Sequence, residues 1–301
     1  MSVPTQKLAE IIAAESKAAT FPAAQAFAAH LTERFGAEGV IFYGSCLRQN
    51  TDQGLLLDFY ALVDSTTQAL GVVSGTFARL LPPNVYYIEM PFEERVIRAK
   101  VAVMATGQFL SAVAPETFTS SVWARFAQPA LVLQARSDDV RAKLEASLAQ
   151  AVATMITRAQ PLMSEAYDAR ALWVRAFTAT YGAELRPEKD SKAAELVAGD
   201  LARYTAVTQA QLGQGPYPAA SDAGRRAGAT AWKRRRILGK TLNALRLIKA
   251  AFTFQGGLDY AVWKIERHSG VKIALSPAER KRPLITGLKL FFGTLRQGGL
   301  R

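Results

Sequence analysis

Residues 40–64 constrain the fold of this 301-residue chain more than any other segment does. An apolar run at residues 40–43 leads into Gly44 and Ser45, and a second apolar run carries Asp58 after twelve intervening residues. A glycine at the end of a strand lets the backbone approach a phosphate closely, and a serine beside it can donate a hydrogen bond to a phosphate oxygen. A carboxylate on the adjacent strand can bind the Mg²⁺ that neutralises such phosphates. The segment therefore predicts two neighbouring strands with a site for phosphate chemistry between them.

Cysteine and histidine are scarce, which limits the chemistry of the chain. Cys46 is the single cysteine, so an internal disulfide is impossible and a reducing compartment is indicated. The two histidines, His30 and His268, are far from Cys46 in sequence, and we expect Cys46 to be a buried small side chain rather than a nucleophile.

The N-terminal sequence contains Glu10 and Glu15 and has no apolar core, which argues against a secretory or transit signal. The chain also lacks a run of about 18 apolar residues, the minimum for a membrane-spanning helix. We expect a cytoplasmic protein that is peripheral on the inner face of a membrane.

The net charge of +12 is unevenly distributed. Residues 225–301 contain 18 lysines and arginines against three acids, Asp259, Glu266 and Glu279, which gives this segment a net charge of +15. The first 224 residues have a net charge of −3. A near-neutral domain with a basic end is typical of a protein that docks on a polyanion.

Hydrophobic periodicity predicts an α/β (α+β) fold with a mixed sheet in the N-terminal half. Strands are predicted at residues 40–43, 55–63, 85–90, 95–104 and 130–134, with the third and fourth as a hairpin. Helices are predicted at residues 5–18, 23–35, 66–80, 107–113, 138–160, 164–180, 189–212, 235–252 and 257–268. We therefore predict a sheet domain over residues 1–137, a helical domain over 138–230 with a mobile linker at 213–231, and a basic segment over 231–301.

The basic segment is also amphipathic. A helix opening at Lys233-Arg234-Arg235-Arg236 would carry an apolar stripe of Leu238, Leu242, Leu245, Ile248 and Phe252, interleaved with Lys240, Arg246 and Lys249. Residues 288–296 repeat this mixture. Basic amphipathic helices suit an anionic membrane surface. The alternative is that both stripes pack on the helical domain, as most amphipathic helices do.

The Gly44-Ser45…Asp58 layout resembles DNA-polymerase-β-type nucleotidyltransferases. Over residues 38–265 the chain also resembles, block by block, the mitochondrial-type phosphatidate cytidylyltransferases, the CDP-diacylglycerol synthases of the translocator-maintenance family. The resemblance is carried by YGSCLRQ at 43–49, LDFYALVD at 57–64, VYY at 85–87, RVIRAKV at 95–101, ARFAQP at 124–129, YGAELR at 181–186 and LIKAAFTFQGGLDYAVWK at 247–264. It implies a nucleotidyltransferase domain followed by a helical domain, and synthesis of CDP-diacylglycerol and pyrophosphate from CTP and phosphatidate with Mg²⁺.

The resemblance also implies roles for individual residues. Gly44 and Ser45 would bind phosphate, Asp58 would bind the metal, and Arg98 matches a basic residue of the second hairpin strand. Arg125 matches an arginine of a Gly-Arg-containing motif. Tyr181, Gly182, Glu184 and Arg186 match a Tyr-x-Gly-Asp-x-Arg-like block, with one position shifted and Glu in place of Asp, and Lys192 matches a lysine after that block. The chain departs from the family at Cys46, Ser65 and Gln128.

A second metal carboxylate is not evident on the strand that carries Asp58. Two-metal transferases usually have one two residues later, where this chain has Tyr60. Asp64 has the right parity, but six residues of strand separate it from Asp58 by about 20 Å. We therefore predict Glu184 as the second metal ligand, with Glu89 and Glu94 of the hairpin as alternatives.

Basic side chains would complete the predicted site. Arg98, Lys100 and Arg125 are candidates to clamp a triphosphate, with Arg186 and Lys192 also binding the nucleotide; strand arginines otherwise often form surface ion pairs. The expected partners are CTP and phosphatidate in an anionic membrane, with no stable nucleic-acid complex.

Two other functions stay open. One is a nucleotidyltransferase that acts on RNA or a small molecule, and the other is a non-catalytic adaptor of the same fold. The tryptophan and tyrosine residues that stand among the C-terminal bases and could stack on RNA bases are few, namely Trp232, Tyr260 and Trp263.

Overall fold

This computed structural model describes residues 3–52, 56–184, 191–253, 256–269 and 276. They contain a mixed sheet of five strands and thirteen α-helices. The strands are β1 (Gly39–Tyr43), β2 (Leu57–Val63), β3 (Asn84–Phe92), β4 (Arg95–Ala105) and β5 (Ala130–Ala135). Their order in the sheet is β3-β4-β2-β1-β5, in which β2 runs parallel to β4 and the other neighbours are antiparallel. The chain therefore has the mixed α/β architecture expected from its sequence.

The helices alternate with the strands in the first half and follow one another in the second. Their bounds are α1 (Gln6–Ser16), α2 (Pro22–Phe35), α3 (Ser45–Gln49), α4 (Thr66–Leu70), α5 (Val72–Leu80), α6 (Thr106–Val113), α7 (Trp123–Phe126), α8 (Asp138–Ala159), α9 (Ala169–Ala183), α10 (Ser191–Ala198), α11 (Leu201–Leu212), α12 (Asp222–Thr253) and α13 (Gly257–Ser269). Side-chain caps begin several of them; Ser137, for example, accepts from the Val140 amide at the start of α8.

The two faces of the sheet pack against different helices. Phe42 and Phe59 lie on the face covered by α2, where Phe27 stacks on Phe59 at 5.4 Å between ring centroids. Tyr60 and Ile41, on the opposite face, belong to a larger core that reaches Trp173 of α9. This alternation follows from the two-residue period of a strand. The larger core contains residues from both sides of position 137, and the predicted domain boundaries stay predictions.

The predicted strands and the hairpin are confirmed, and two predicted helices are each divided. Gly71, at φ 77° and ψ 165°, separates α4 from α5, so residues 66–80 are not one helix. Gly199 and Asp200 separate α10 from α11 within the predicted helix 189–212. The short helices α3 and α7 were not predicted, because five- and four-residue turns leave no periodic pattern.

The predicted linker at residues 213–231 is wrong over its second half, because α12 begins at Asp222 rather than at residue 235. The Ser221 hydroxyl accepts from the Gly224 amide at 3.1 Å and caps the helix. Residues 213–221 are also held in place, since Tyr217 exchanges two backbone hydrogen bonds with Tyr167. Alanine and arginine favour helix, so the composition that resembles a linker also allows an extension of α12.

Helix α12 packs inward through Trp232 and through small and basic residues, whereas the predicted membrane-facing stripe is exposed at Leu238, Leu245 and Ile248. Its buried positions recur at helical spacing and comprise Gly228, Trp232, Arg235, Lys249 and Thr253. Arg235 donates to the Phe118 carbonyl at 3.1 Å, and Gly239 lies so close to Ala183 that a Cβ would meet its carbonyl oxygen at 2.5 Å. The apolar residues Ile237, Leu238, Leu245, Leu247 and Ile248 are exposed instead. Phe252's side chain and residues 288–296 lie outside the described part of the chain.

No helix within the described residues is long and apolar enough to cross a lipid bilayer.

Burial of Lys249 gives the protein a pH-dependent stability. Its ammonium group donates to the Leu81 and Pro83 carbonyls at 2.6 Å each, and burial, with a smaller effect of nearby Arg246, lowers its pKa from 10.5 to about 8. Between these two values the unfolded chain binds more protons, so stability rises with pH. We expect the free energy of unfolding of wild type to rise from pH 8 to pH 10.5 relative to that of Lys249→Met, by chemical denaturation. A difference that stays flat or falls over this range would contradict the role of Lys249.

Candidate active site

One cross-strand row brings the predicted phosphate-binding motif together. Tyr43 of β1 is paired with Asp58 of β2, and Asp58 is paired with Lys100 of β4. Gly44 directly follows β1 with a φ of 97°, and a Cβ built on it would stand 2.6 Å from the Asp58 carboxylate oxygen. The backbone at Gly44 therefore passes against the carboxylate, as the motif predicts, and Ser45 begins α3 immediately after it.

The surroundings of Asp58 are buried and electrostatically coupled to it. Cys46 is fully buried and donates to the Leu56 carbonyl at 3.1 Å; burial, followed by the charges of Asp58 and Asp52, raises the pKa of its thiol to about 12. The thiol is therefore neutral at physiological pH, which agrees with the prediction of a structural cysteine. Burial and then Asp58 also raise the pKa of Tyr260, which places the start of α13 near the carboxylate.

Arg125 lies over the aromatic residues of this sheet face. Its Nη1 donates to the Tyr60 hydroxyl at 2.8 Å, and its guanidinium carbon is 5.6 Å and 5.8 Å from the ring centroids of Tyr43 and Tyr60. Burial lowers the pKa of Arg125, but Tyr60, Tyr43, Glu184 and Asp58 together raise it above its ordinary value. Tyr60, which follows Asp58 by two residues on β2, thus positions Arg125 through its phenol hydroxyl.

Glu184 lies near Arg125, and its role as the second metal ligand stays a prediction. It caps the C-terminus of α9, and its side chain lines a cleft of about 340 Å³ together with Lys100 and Arg125. The cleft lies between the sheet and α12, and its wall is formed by Tyr43, Tyr60, Pro83, Val85, Lys100, Ala102, Ser121, Arg125, Glu184, Asn243, Arg246, Leu247 and Ala250. Three cationic residues, Lys100, Arg125 and Arg246, thus line one partly enclosed space with one acid, Glu184. Asp58 does not line it but is paired with Lys100 across β2 and β4.

Asp58 and Glu184 are the carboxylates of this region that could hold a Mg²⁺ ion bound together with a nucleotide. Both carboxylates act on Arg125, so they share one neighbourhood. The described residues include no group of three or more His, Cys, Asp or Glu side chains that would hold a metal on their own. Mg²⁺ commonly takes only one or two protein carboxylates and completes its shell with substrate phosphates and water.

Two other predicted site residues, Arg98 and Lys192, do not line the cleft. Arg98 forms a surface ion pair with Glu89 at 2.9 Å across the hairpin, the alternative for a strand arginine. Lys192 is exposed on α10 and lies 3.7 Å from Glu195. Arg186 is outside the described residues. Glu89 is occupied by Arg98 and by the Tyr87 hydroxyl at 2.8 Å, and Glu94 is exposed between the hairpin strands.

The sequence reasoning missed the contribution of α12 to this cleft. Arg246, predicted to face a membrane, instead donates to the Ser121 hydroxyl at 3.2 Å and to the Asn243 side-chain oxygen at 3.4 Å. The sequence pattern that could have predicted this position is the seven-residue spacing of Trp232, Gly239 and Arg246, because it puts the arginine on the helix face that packs inward.

Comparison of the chain with models of known protein families and with curated proteins found no match.

Proposed function

We propose that the protein is a Mg²⁺-dependent nucleotidyltransferase of the polymerase-β type, which transfers the cytidylyl group of CTP to phosphatidate at the cytoplasmic face of a membrane. The observation that carries the proposal is the convergence of Gly44, which follows β1, with Asp58 of β2 and Lys100 of β4, and Lys100 also lines the cleft together with Arg125 and Glu184. The choice of CTP and phosphatidate comes from the block-by-block sequence resemblance.

The reaction requires positioning and charge stabilisation more than a strong base. A phosphate oxygen of phosphatidate, which is already anionic, forms a bond to the α-phosphorus of CTP. The bond from that phosphorus to the oxygen of the β-phosphate breaks, and pyrophosphate leaves with the electron pair. Lys100 would offset the charge that develops on the leaving group, and Arg125 would stabilise the charge at the reacting phosphorus.

Asp58 and Glu184 would hold the metal, and the glycine at position 44 would let the triphosphate approach the backbone beside Asp58. When bound, Mg²⁺ supplies charge neutralisation to the phosphates. The neutral, buried thiol of Cys46 takes no part, which is consistent with direct transfer.

Pyrophosphate release is the direct test. Purified protein is incubated with Mg²⁺, vesicles containing phosphatidate, and each of ATP, CTP, GTP and UTP in turn. We expect release with CTP that depends on phosphatidate. Release that needs RNA instead of phosphatidate would support the RNA alternative, and no release with any nucleotide would support a non-catalytic adaptor.

The outer face of α12 supports a membrane location for the reaction. Ile237, Leu245 and Ile248 are about half or more exposed, at 59%, 46% and 60%. The exposed bases Lys233, Arg234, Arg236 and Lys240 stand on the same helix. Exposed apolar side chains flanked by bases are the combination that binds an anionic lipid surface.

Vesicle binding is expected to depend on this outer face. The double change Leu245→Ser with Ile248→Asp should weaken co-sedimentation with phosphatidate-containing vesicles by at least about tenfold, because each apolar side chain transferred from water contributes about 1.5–3 kcal/mol. Thermal stability should be unchanged, since both side chains are exposed. Leu201→Ser on α11, also an exposed leucine at 38%, is the matched control. Equal loss in the control, or none in the double variant, would contradict a docking role for α12.

A further inference from the structure

Two arginines from different parts of the chain face each other across the cleft. Arg125 comes from α7, beside the sheet, and Arg246 comes from the inner face of α12. Their electrostatic coupling is direct: Arg125 is among the groups that lower the pKa of Arg246, after burial. Glu184 in the same cleft partly offsets their repulsion, since its charge raises the pKa of both arginines. The pKa of Arg246 nevertheless stays below its ordinary value, so an anionic ligand would favour its charged form.

Hydrogen bonding also leaves capacity for a ligand. The hydrogen bonds described for these guanidinium groups go to neutral oxygens, those of Tyr60 for Arg125 and those of Ser121 and Asn243 for Arg246. The Nε atom of Arg246 is buried and has no hydrogen-bond partner. Buried polar atoms are nearly always satisfied, so the guanidinium group of Arg246 has hydrogen-bonding capacity that the described residues do not fill.

We propose that Arg125 and Arg246 form a binding site for a phosphomonoester dianion, and that in the proposed transferase this is the phosphate of the acceptor. A phosphomonoester presents three acceptor oxygens and nearly two negative charges, which matches two guanidinium forks better than it matches one. This assignment rests on the proposed function, whereas the anion site itself follows from the geometry of the two arginines.

The location fits the acceptor rather than the nucleotide. Tyr60, which holds Arg125, follows Asp58 by two residues on the same face of β2, a separation of about 7 Å along the strand. Arg125, which Tyr60 holds, therefore lies beside the Gly44–Asp58 position, where the triphosphate would bind, rather than at it. The two arginines also lie directly beneath α12, whose outer face is apolar and basic, so an acceptor anchored in a membrane would enter from that side.

Arg246 would thus link membrane docking to substrate binding. Helix α12 carries the exposed Leu245 and Ile248, and Arg246, which directly follows Leu245 in sequence, lines the cleft on the inner side of the helix. This explains why a basic residue, rather than an apolar one, occupies an inward position of an amphipathic helix. In this role Arg246 contacts the acceptor and Arg125 is shared between the acceptor and the reaction centre.

The test separates acceptor binding from nucleotide binding with Arg246→Gln. In steady-state assays of pyrophosphate release we expect the KM for phosphatidate to rise at least about tenfold, as expected for loss of a charge-assisted pair. The KM for CTP should stay within about twofold, and Arg246→Lys should restore part of the acceptor affinity. Arg226→Gln, the same change at an exposed arginine of α12, is the matched control. A rise in the KM for CTP with an unchanged KM for phosphatidate would overturn the acceptor assignment.

A second readout needs no catalysis. Glycerol 3-phosphate, a soluble phosphomonoester, should raise the thermal unfolding midpoint of wild type and of Arg226→Gln but not that of Arg246→Gln. Equal stabilisation of all three proteins would overturn the anion site. Stabilisation that requires Arg246, in a protein that releases no pyrophosphate with any nucleotide, would uphold the anion site and overturn the transferase function, so the two failures are distinguishable.

Discussion

Replacing Asp58 by asparagine is expected to reduce CTP-dependent pyrophosphate release by about 10³-fold or more, equivalent to about 4 kcal/mol of transition-state stabilisation. Asparagine keeps the size of the side chain but removes the charge with which the carboxylate would bind Mg²⁺. The change also removes one of the acids that raise the pKa of Arg125, so the arginine beside the reaction centre loses a compensating charge. Initial rates at saturating CTP and phosphatidate would measure the effect.

Asp64→Asn is the matched control for this experiment. Asp64 directly follows β2, six residues after Asp58 and with the same strand parity, but it is exposed. Its conversion to asparagine should leave the rate within about twofold and thermal stability unchanged, as is usual for surface substitutions. If Asp58→Asn retained more than a tenth of wild-type activity while folding normally, Asp58 would not be a metal ligand of the reaction.

Local sequence patterns are sufficient to predict the strands of the sheet and the closeness of Gly44 to Asp58. Apolar, β-branched and aromatic runs identify the strands, and β1 and β2, which follow each other in sequence with only the five-residue helix α3 between them, pair as antiparallel neighbours. Gly44 and Asp58 are therefore adjacent for a local reason. Glu184 was predicted as a site residue through the resemblance of residues 181–186, although more than a hundred residues separate it from Asp58. In the structure it lines the cleft.

The role of α12 could not be predicted, because periodicity identifies the residues that share a helix face without identifying the face that packs. Burial of apolar side chains is the usual guide, and here it gives the wrong answer. Lys249 and Arg235 are buried because backbone carbonyls of distant segments accept their hydrogen bonds. Long basic side chains can also bury their aliphatic stems while their charged ends find such partners. These acceptors are set by tertiary structure, and nothing in the sequence near α12 reveals them.

Gly44→Ala should also abolish most activity, by about 10²-fold or more (about 2.7 kcal/mol), although the change adds a single methyl group. The new Cβ would stand 2.6 Å from the Asp58 carboxylate oxygen and 3.2 Å from the carboxylate carbon, so the carboxylate must move. Small displacements of a reacting group are costly, since catalysis depends on held geometry. The backbone at φ 97° and ψ −160° lies in a region nearly exclusive to glycine, so a loss of stability of about 1–3 kcal/mol is expected as well.

Gly71→Ala separates these two effects. Gly71 occupies the same backbone region, at φ 77° and ψ 165°, but a Cβ there would meet nothing within 4 Å. Both variants should therefore lose comparable stability in chemical denaturation, and only Gly44→Ala should lose pyrophosphate release at a temperature where both remain folded. Equal activity of the two folded variants would show that the close approach of Gly44 to Asp58 is a feature of packing alone. A loss of activity in Gly44→Ala alone would mean that catalysis requires the Asp58 carboxylate in its present position, which a side chain at residue 44 would displace.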